Sequence, residues 1–510
     1  MFVAMKHPIA AAVLALMTMV SPVSVSAQSG EDPKLAEIKE LWENKDFTAS
    51  RAALVALGDE PGALAQYWLA ILLLDGKGGP VEIARGLALL RAAAEGGEAM
   101  AQNLLGRFTL QGRGVEQDAT AAAKLFLQAA RAGNVAAQIT LGQMYQTGNG
   151  TIKDLDSAFR LFERAAQSGN GRALFELSKH QSKGWGTPID AQASLATLEL
   201  SADAGHAEAQ LILAMKYYQG RDVPKDLEKG LQWLARSANS GNPMALRILG
   251  SAFLTGNGVK QDLARAETLL TLAAEAGEAG AQSNLGYIYT TGKGAEQDFE
   301  KARFWYSKAA DQGLLRATTA LAQLVEQGEG GAPDLPRALD LYFEAATQGE
   351  KRAQQRVGAA IVAGDLPLPP RTRAAVGWVA DYAAGGDTAA LNWLLARANG
   401  GDIVAQSRLG HLLTGDILPQ ITPEQHANGV SMLTFAAERG DAEAQLNLSL
   451  LYAAGNGVPL DFIAAHAWAN LAAARGAAGA AKQRDILAKL MTAEDIASAQ
   501  EKARNYVAKN

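Results

Sequence analysis

Between residues 136 and 169 the apolar side chains fall into two stripes. Ala137, Leu141 and Tyr145 recur four apart, the spacing that puts them on one face of a helix. Ala158, Leu161, Phe162, Ala165 and Ala166 trace a second stripe of the same period. Between the stripes stand Gly148, Asn149 and Gly150, residues that accept positive φ after a helix, and then Asp154, placed to cap the start of the next one. The pattern predicts a helix pair joined by a short turn.

That pattern repeats every 36 residues. Gly76, Gly112, Gly148, Gly184, Gly220, Gly256, Gly292, Gly328 and Gly364 hold the interval, and a second series from Gly97 to Gly385 runs in register with it. The capping aspartate recurs at Asp118, Asp190, Asp226, Asp262, Asp298 and Asp334, and again at Asp461 after Gly455. Such a period is the signature of a solenoid, in which each unit buries its apolar face only by stacking on its neighbours. The Gly-x-Gly turns lie between two helices and never after a strand, so they read as turns rather than as phosphate-binding loops.

Residues 279 to 313 then show a specific resemblance. Ala281, Leu285, Gly286, Tyr289, Gly292, Gly294, Asp298, Lys301, Ala302, Trp305, Lys308, Ala309, Ala310 and Gly313 fall in order on the pattern of the Sel-1-like repeat, a branch of the tetratricopeptide-like helical solenoids. The resemblance implies an all-α fold, a right-handed superhelical solenoid of about eleven 36-residue helix-turn-helix repeats with helical caps. It also implies an adaptor or regulator of protein complexes, in bacteria often exported. The units expected are nine between residues 63 and 387, then an extra helix at 388–402 where the register breaks, then two more at 403–476.

Several units depart from the pattern. Gly220-Arg221-Asp222 and Gly364-Asp365-Leu366 lack the second loop glycine, and the next loop glycine after Gly364 is Gly415, one period plus 15 residues later. The extra helix, Thr388 to Ala398, reads either as a hinge or as a degenerate repeat packed in line. The ends are more polar, as solenoid ends must be. Residues 28–62 are expected to form capping helices with Leu35, Ile38, Leu41 and Trp42 inward. Residues 477–510 are expected to close the array, with helices at Gln483 to Leu490 and at Thr492 to Ala508, the latter opened by a Thr492/Asp495 capping box.

Residues 1–27 have the layout of a secretory signal peptide: Lys6, an apolar run from Ile9 to Val20, and small residues at Val25-Ser26-Ala27. The run is shorter than the roughly 20 residues of a membrane span. The expectation is a soluble protein of a bacterial periplasm, or a secreted one, cleaved near Ala27. The chain has no cysteine, which excludes disulfides, thiolate sites and a lipidated cysteine. Its formal charge of −6 argues against nucleic acid or an anionic membrane as the main partner.

Chemistry is sparse. The six histidines, His7, His180, His206, His411, His426 and His466, show no paired metal-ligand spacing, and there is no G-x-S-x-G, S-x-x-K or P-loop. No catalytic residue, cofactor or metal is expected. Trp233, Trp305 and Trp468 stand where other units carry Leu125, Leu161 or Leu341, and Tyr145, Tyr217, Tyr289 and Tyr452 share one register position, so both sets read as core. Binding should fall where a repeat position varies. On the first helix of each unit two positions lie away from the leucine stripe. One carries Arg107, Gln143, Lys179, Tyr287 and Gln323, and the other Asn103, Phe175, Arg247 and Ser283.

The resemblance implies that these first helices line the concave face, so Arg107, Gln143, Phe175, Lys179, Arg247, Tyr287 and Gln323 form the candidate groove. The function expected is a non-enzymatic periplasmic adaptor or regulator that grips protein partners of the cell envelope. The alternative is an envelope protein that binds peptidoglycan or another glycan, with β-lactam or cell-wall hydrolysis as its catalytic form. Cysteine-rich members of the family are linked to β-lactam hydrolysis, and this chain lacks their cysteines.

Overall fold

The computed structural model describes residues 33–57, 62–366 and 372–508. Among them there are 27 α-helices and no strand. The signal-peptide residues 1–27 and the proline-rich part of the segment after Gly364 lie outside the described residues. The chain divides into two compact units, residues 1–246 and 247–510.

One repeat shows how local chemistry makes the helix pair. Its first helix, here the A helix, spans Val135–Thr147; Asn134 caps it by accepting from the Ala137 N–H at 2.9 Å. Gly148 ends it at φ 79°, a left-handed conformation that a Cβ would oppose. The second, or B helix, spans Leu155–Ala166 and is capped by Asp154, which accepts from the Ser157 N–H at 3.0 Å and from its hydroxyl at 2.6 Å. The Asp154 N–H reaches back to the Tyr145 carbonyl at 2.9 Å, which closes the turn. The expected caps at Asp118, Asp190, Asp226, Asp262, Asp298, Asp334 and Asp461 all accept backbone N–H bonds in this way.

The turn also seats each repeat on the one before. A Cβ at Gly150 would run into the Ala119 carbonyl at the head of the preceding B helix, and Gly186 meets Leu155 in the same way. In the Gly220-Arg221-Asp222 turn, which lacks the second loop glycine, Asp222 itself takes φ 64° and its carboxylate pairs with Lys216.

Within a unit the eighth residue of the A helix faces the eighth of the B helix. Gly106 lies under the Phe126 ring, Gly142 under Phe162, Gly250 under Leu270 and Gly286 under Tyr306. Phe126, Phe162 and Leu270 are fully buried and Tyr306 nearly so. This position, one residue beyond the tryptophan register, is the true core of the B helices. Trp468 is buried as expected, but Trp233 and Trp305 are only half-buried, and Arg236 covers Trp233 at 4.3 Å from the ring centre. Tyr145, Tyr217, Tyr289 and Tyr452 are half-buried too, lying at the margin of the core rather than in it.

In the first unit the N-terminal cap consists of helices Pro33–Glu43 and Phe47–Ala56. Ile38 is buried there, Leu35, Leu41 and Trp42 are half-buried, and Trp42 meets Phe47 edge-on at 5.7 Å. In the second unit the register break is a helix, Thr388–Asn399, capped by Asp387 and burying Ala390, Leu394 and Ala398. It joins one apolar cluster that runs from Ala322 to Leu418 and includes Trp378 and Leu409. The helices on either side of it also touch directly, and Arg373, ahead of the break, donates to Asp441 beyond it at 2.8 Å. The next B helix, Pro423–Glu438, opens with Thr422 and Gln425 as a capping box in place of the aspartate. The closing helices are Ala480–Ala488 and Ala493–Ala508; Thr492 and Asp495 bond each other's backbone N–H at 3.2 Å, and Tyr506 lies on Trp468 at 4.3 Å.

Candidate functional site

An interior A helix is enclosed on most sides. Its fourth residue is a glutamine in eight repeats, and in seven of them the side-chain amide donates to a carbonyl eight residues upstream at the end of the preceding helix. The bonds are Gln102 to Ala94, Gln138 to Ala130, Gln210 to Ala202, Gln282 to Ala274, Gln354 to Ala346, Gln406 to Ala398 and Gln445 to Ala437, at 2.9 to 3.1 Å. Each of these terminal carbonyls also accepts from the N–H of the turn glycine three residues on, so the amide supplies its second bond and ties the next helix to it. Sequence reasoning missed these glutamines, although their spacing of 36 residues was there to find.

The fifth residue is a clasp between units. Phe175 stacks on His206 at 4.6 Å, Arg247 donates to Glu278 at 2.9 Å, Thr319 to Glu350 at 3.0 Å and Ser407 to Asp441 at 2.8 Å. In each case the partner is the N-cap residue of the next A helix. This corrects part of the expected groove. Phe175 is buried at 4% exposure, and Asn103 and Ser283 are buried as well. Arg247 is half-buried and held by Glu278. A lone amphipathic helix has one buried stripe, whereas a stacked one has a second, facing the next unit, and the fifth residue lies in it.

What stays accessible is a narrow stripe carrying the second and ninth residues. In the first unit the ninth position holds Ile71, which is buried, then Arg107, Gln143 and Lys179, all half-buried, and Met215, 38% exposed. In the second unit it holds Tyr287, 41% exposed, then Gln323 and His411, also exposed, and Leu450, 46% exposed. Lys293 donates to the Tyr287 hydroxyl at 3.2 Å.

The first unit's stripe is cross-linked. Gln143 donates to Glu176 at 3.2 Å and accepts from Arg172 at 3.2 Å, while Lys179 pairs with Glu176 at 2.9 Å and sits over the Phe175 ring. Burial, together with the charges of Arg113 and Arg172, pushes the Arg107 guanidinium below its ordinary range. Tyr67 beside it is pushed up to about 12, by burial first and then by Glu98. His180 is fully buried, with Nδ1 at 2.8 Å from the Trp185 carbonyl, and burial lowers its pKa. Among the described residues no group of three or more His, Cys, Asp and Glu is placed to hold a metal, and no helix is long and apolar enough to cross a membrane.

The comparisons with known proteins agree with this architecture. A family model described as Sel1 repeat matches residues 63–98, 99–134, 135–170, 171–206, 207–242, 243–278, 279–314, 315–350 and 442–476. The chain is similar to the crystal structure of c5321, a protective antigen present in uropathogenic Escherichia coli strains displaying an SLR fold. The identity is 28%, over 93% of this chain and 94% of that one, with a TM-score of 0.54. It is also similar to a Sel1 repeat protein from Oxalobacter formigenes, 30% identical over 68% of this chain and 98% of that one, with a TM-score of 0.43. No curated protein matches the sequence.

Proposed function

The chain belongs to the Sel1 repeat family, and from that premise we propose that it is a non-enzymatic adaptor whose A-helix stripe grips a protein partner in the bacterial cell envelope. Sel1 repeats generally mediate protein–protein interactions. One observation supports the stripe as the place. The ninth A-helix position changes from Arg107 to Gln143, Lys179 and Met215, and again from Tyr287 to Gln323, while the fourth position is mostly glutamine and the eighth is always Gly, Ala or Ser. A surface that varies on a fixed scaffold is how a repeat array presents a specific lining. Arginine, tyrosine and methionine are also among the side chains enriched where proteins bind proteins.

Export is part of the same reading. The basic start at Lys6, the apolar run from Ile9 to Val20 and the small residues before Gln28 support cleavage after Ala27 and delivery to the periplasm. N-terminal sequencing of the protein recovered from a periplasmic fraction checks it, and an intact Met1 end in the cytosol overturns it.

The binding reading is tested by placing a photo-crosslinking residue at Met215, Tyr287 and Gln323 and, as controls, at the exposed B-helix positions Leu200 and Leu272. One protein partner captured from the stripe and not from the controls is the expected result. Equal capture from both faces, or glycan alone, overturns it.

A further inference from the structure

We propose that the stripe of the first unit, built from Arg107, Gln143, Arg172 and Lys179, binds an extended acidic peptide segment of the partner protein. The inference rests on the scaffold reading and names the chemistry of what the stripe holds. Its basis is an uncompensated charge. The ion pairs of this unit among the described residues involve Arg51, Lys77, Arg85, Lys179, Lys216 and Arg236; Arg107, Arg113 and Arg172 are among the cations they leave out, and Arg113 and Arg172 both oppose the charge of Arg107. The carboxylate of the cross-linked stripe, Glu176, is buried at 7% exposure and is already occupied by Lys179 and Gln143. Three guanidinium groups therefore share one neighbourhood with no carboxylate paired to them, in a chain whose formal charge is −6.

The groups are also held, and not merely crowded. Arg172 is fixed by its 3.2 Å bond to Gln143, which leaves its remaining N–H donors free for a ligand. Arg107 is half-buried, so a carboxylate reaching it would form its hydrogen bonds partly out of water, where a charged pair of this kind is strongest. Arg113 follows Gly112 in the turn and flanks the same place.

The spacing suits a strand-like ligand. Arg107, Gln143 and Lys179 stand at the same position of three successive A helices. Side chains bridge these A helices, Gln143 bonding Glu176 and Arg172, so the stripe passes from one repeat to the next. An extended peptide rises about 3.3 Å per residue, so side chains three residues apart lie about 10 Å from each other. Carboxylates three residues apart would then meet successive repeats, one at Arg107 and the next toward Arg172 and Lys179.

The test uses the exported chain, Gln28 to Asn510, and a fluorescein-labelled ten-residue peptide with glutamate at every third position, read by fluorescence anisotropy against its glutamine analogue. The acidic peptide should bind at least about tenfold more tightly than the analogue and weaken as salt is raised past about 0.15 M. Joint replacement Arg107→Gln, Arg172→Gln and Lys179→Gln should remove that difference, while Arg131→Gln with Arg164→Gln on the B helices should leave it. The variant Arg107→Lys with Arg172→Lys should retain part of the binding, which separates lost charge from lost fold. Equal binding of the two peptides, or full binding by the triple variant, overturns the inference. So does equally tight binding to phosphatidylglycerol vesicles, because charge alone would then explain it. If the peptide fails while stripe crosslinks at Met215 and Tyr287 still capture a protein, the acidic segment is wrong and the scaffold reading stands. If both fail, both are wrong.

Discussion

Gly142 lies directly beneath the ring of Phe162: a Cβ on Gly142 would come within 2.8 Å of the ring carbon Cε1 and 2.9 Å of Cζ. The two are the eighth residues of the A and B helices of one repeat, and Phe162 is fully buried. Gly142→Ala should therefore destabilise the protein. Overpacking costs about 1–3 kcal/mol, and the gain in helix propensity offsets up to about 1 kcal/mol of it. The same register carries Ala70 with Leu90, Ser178 with Leu198 and Ala214 with Leu234, so a leucine on the B helix can leave room for a Cβ there, although Gly250 has none to spare beneath Leu270. The double variant Gly142→Ala/Phe162→Leu should lose less than the sum of the two single changes in urea unfolding. A rise in stability from Gly142→Ala alone would show that the ring yields freely and that the interlock carries no energy.

The glutamine clamp predicts a second cost. Gln282 donates to the Ala274 carbonyl at 3.1 Å and accepts from Gln312 at 2.8 Å, so both ends of its amide are used. Gln282→Leu removes one of two bonds to that carbonyl, which also accepts from the Gly277 N–H at 3.0 Å, so the loss should be that of a single hydrogen bond, about 0.5–1.5 kcal/mol. Leu174 and Leu246 occupy the same position in other units and are themselves buried, so the leucine fits sterically and the loss isolates the hydrogen bond. Thermal melts of the two forms measure it; an unchanged midpoint would mean that the Gly277 N–H satisfies the carbonyl by itself.

The helix pairs, their caps and their turns were legible because each rests on local chemistry. Asp154 caps whatever follows it, and Gly148 turns left whatever surrounds it. The residues misplaced were those whose environment is set by a neighbour 36 residues away. Phe175 reads as solvent-facing on its own helix and becomes buried because His206 stands on it. Trp233 reads as core, yet the buried position is Leu234, the next residue and so a 100° turn around the helix. The ninth position lies off the leucine stripe and is half-buried or exposed in most repeats, although Ile71 is buried there and Gln143 bonds Glu176 and Arg172 of the next repeat. Three uncompensated arginines could not be read from the sequence, because Arg107 and Arg172 come together only through stacking.

Core and stripe should separate cleanly in stability. Leu285 is completely buried, and Leu285→Ala should cost about 2–5 kcal/mol. Arg107→Ala removes a half-buried side chain that is already opposed by Arg113 and Arg172, and it should shift stability by no more than about 0.5 kcal/mol in either direction. Chemical unfolding of both variants checks the pair. Comparable losses would mean that Arg107 is structural, and the assignment of an accessible stripe would fail with it.

The histidines give the protein an acid-sensitive stability. His206 caps the helix Ala207–Gln219 by accepting the Ala209 N–H on Nδ1 at 3.3 Å, which requires that nitrogen to be unprotonated. Burial lowers its pKa from 6.5; Glu208 and Glu176 oppose the shift and Arg172 and Lys179 reinforce it. His180 is lowered from 6.5 by burial as well. Both are bases whose folded pKa lies below the unfolded one, so the unfolded chain takes up protons first. The stability they allow is fully present above the unfolded value of 6.5 and is lost progressively as pH falls from there toward the folded values. The melting temperature should therefore drop between about pH 7.5 and about pH 5.5. Asn134, Asn170 and Asn242 serve as caps at the corresponding positions, so His206→Asn keeps the cap and removes the titration. Combined with His180→Gln, it should flatten the drop even if the second change lowers stability at every pH. A slope as steep as that of the parent protein would place the acid sensitivity on His411 and His466, whose pKa values burial also lowers, or on carboxylates.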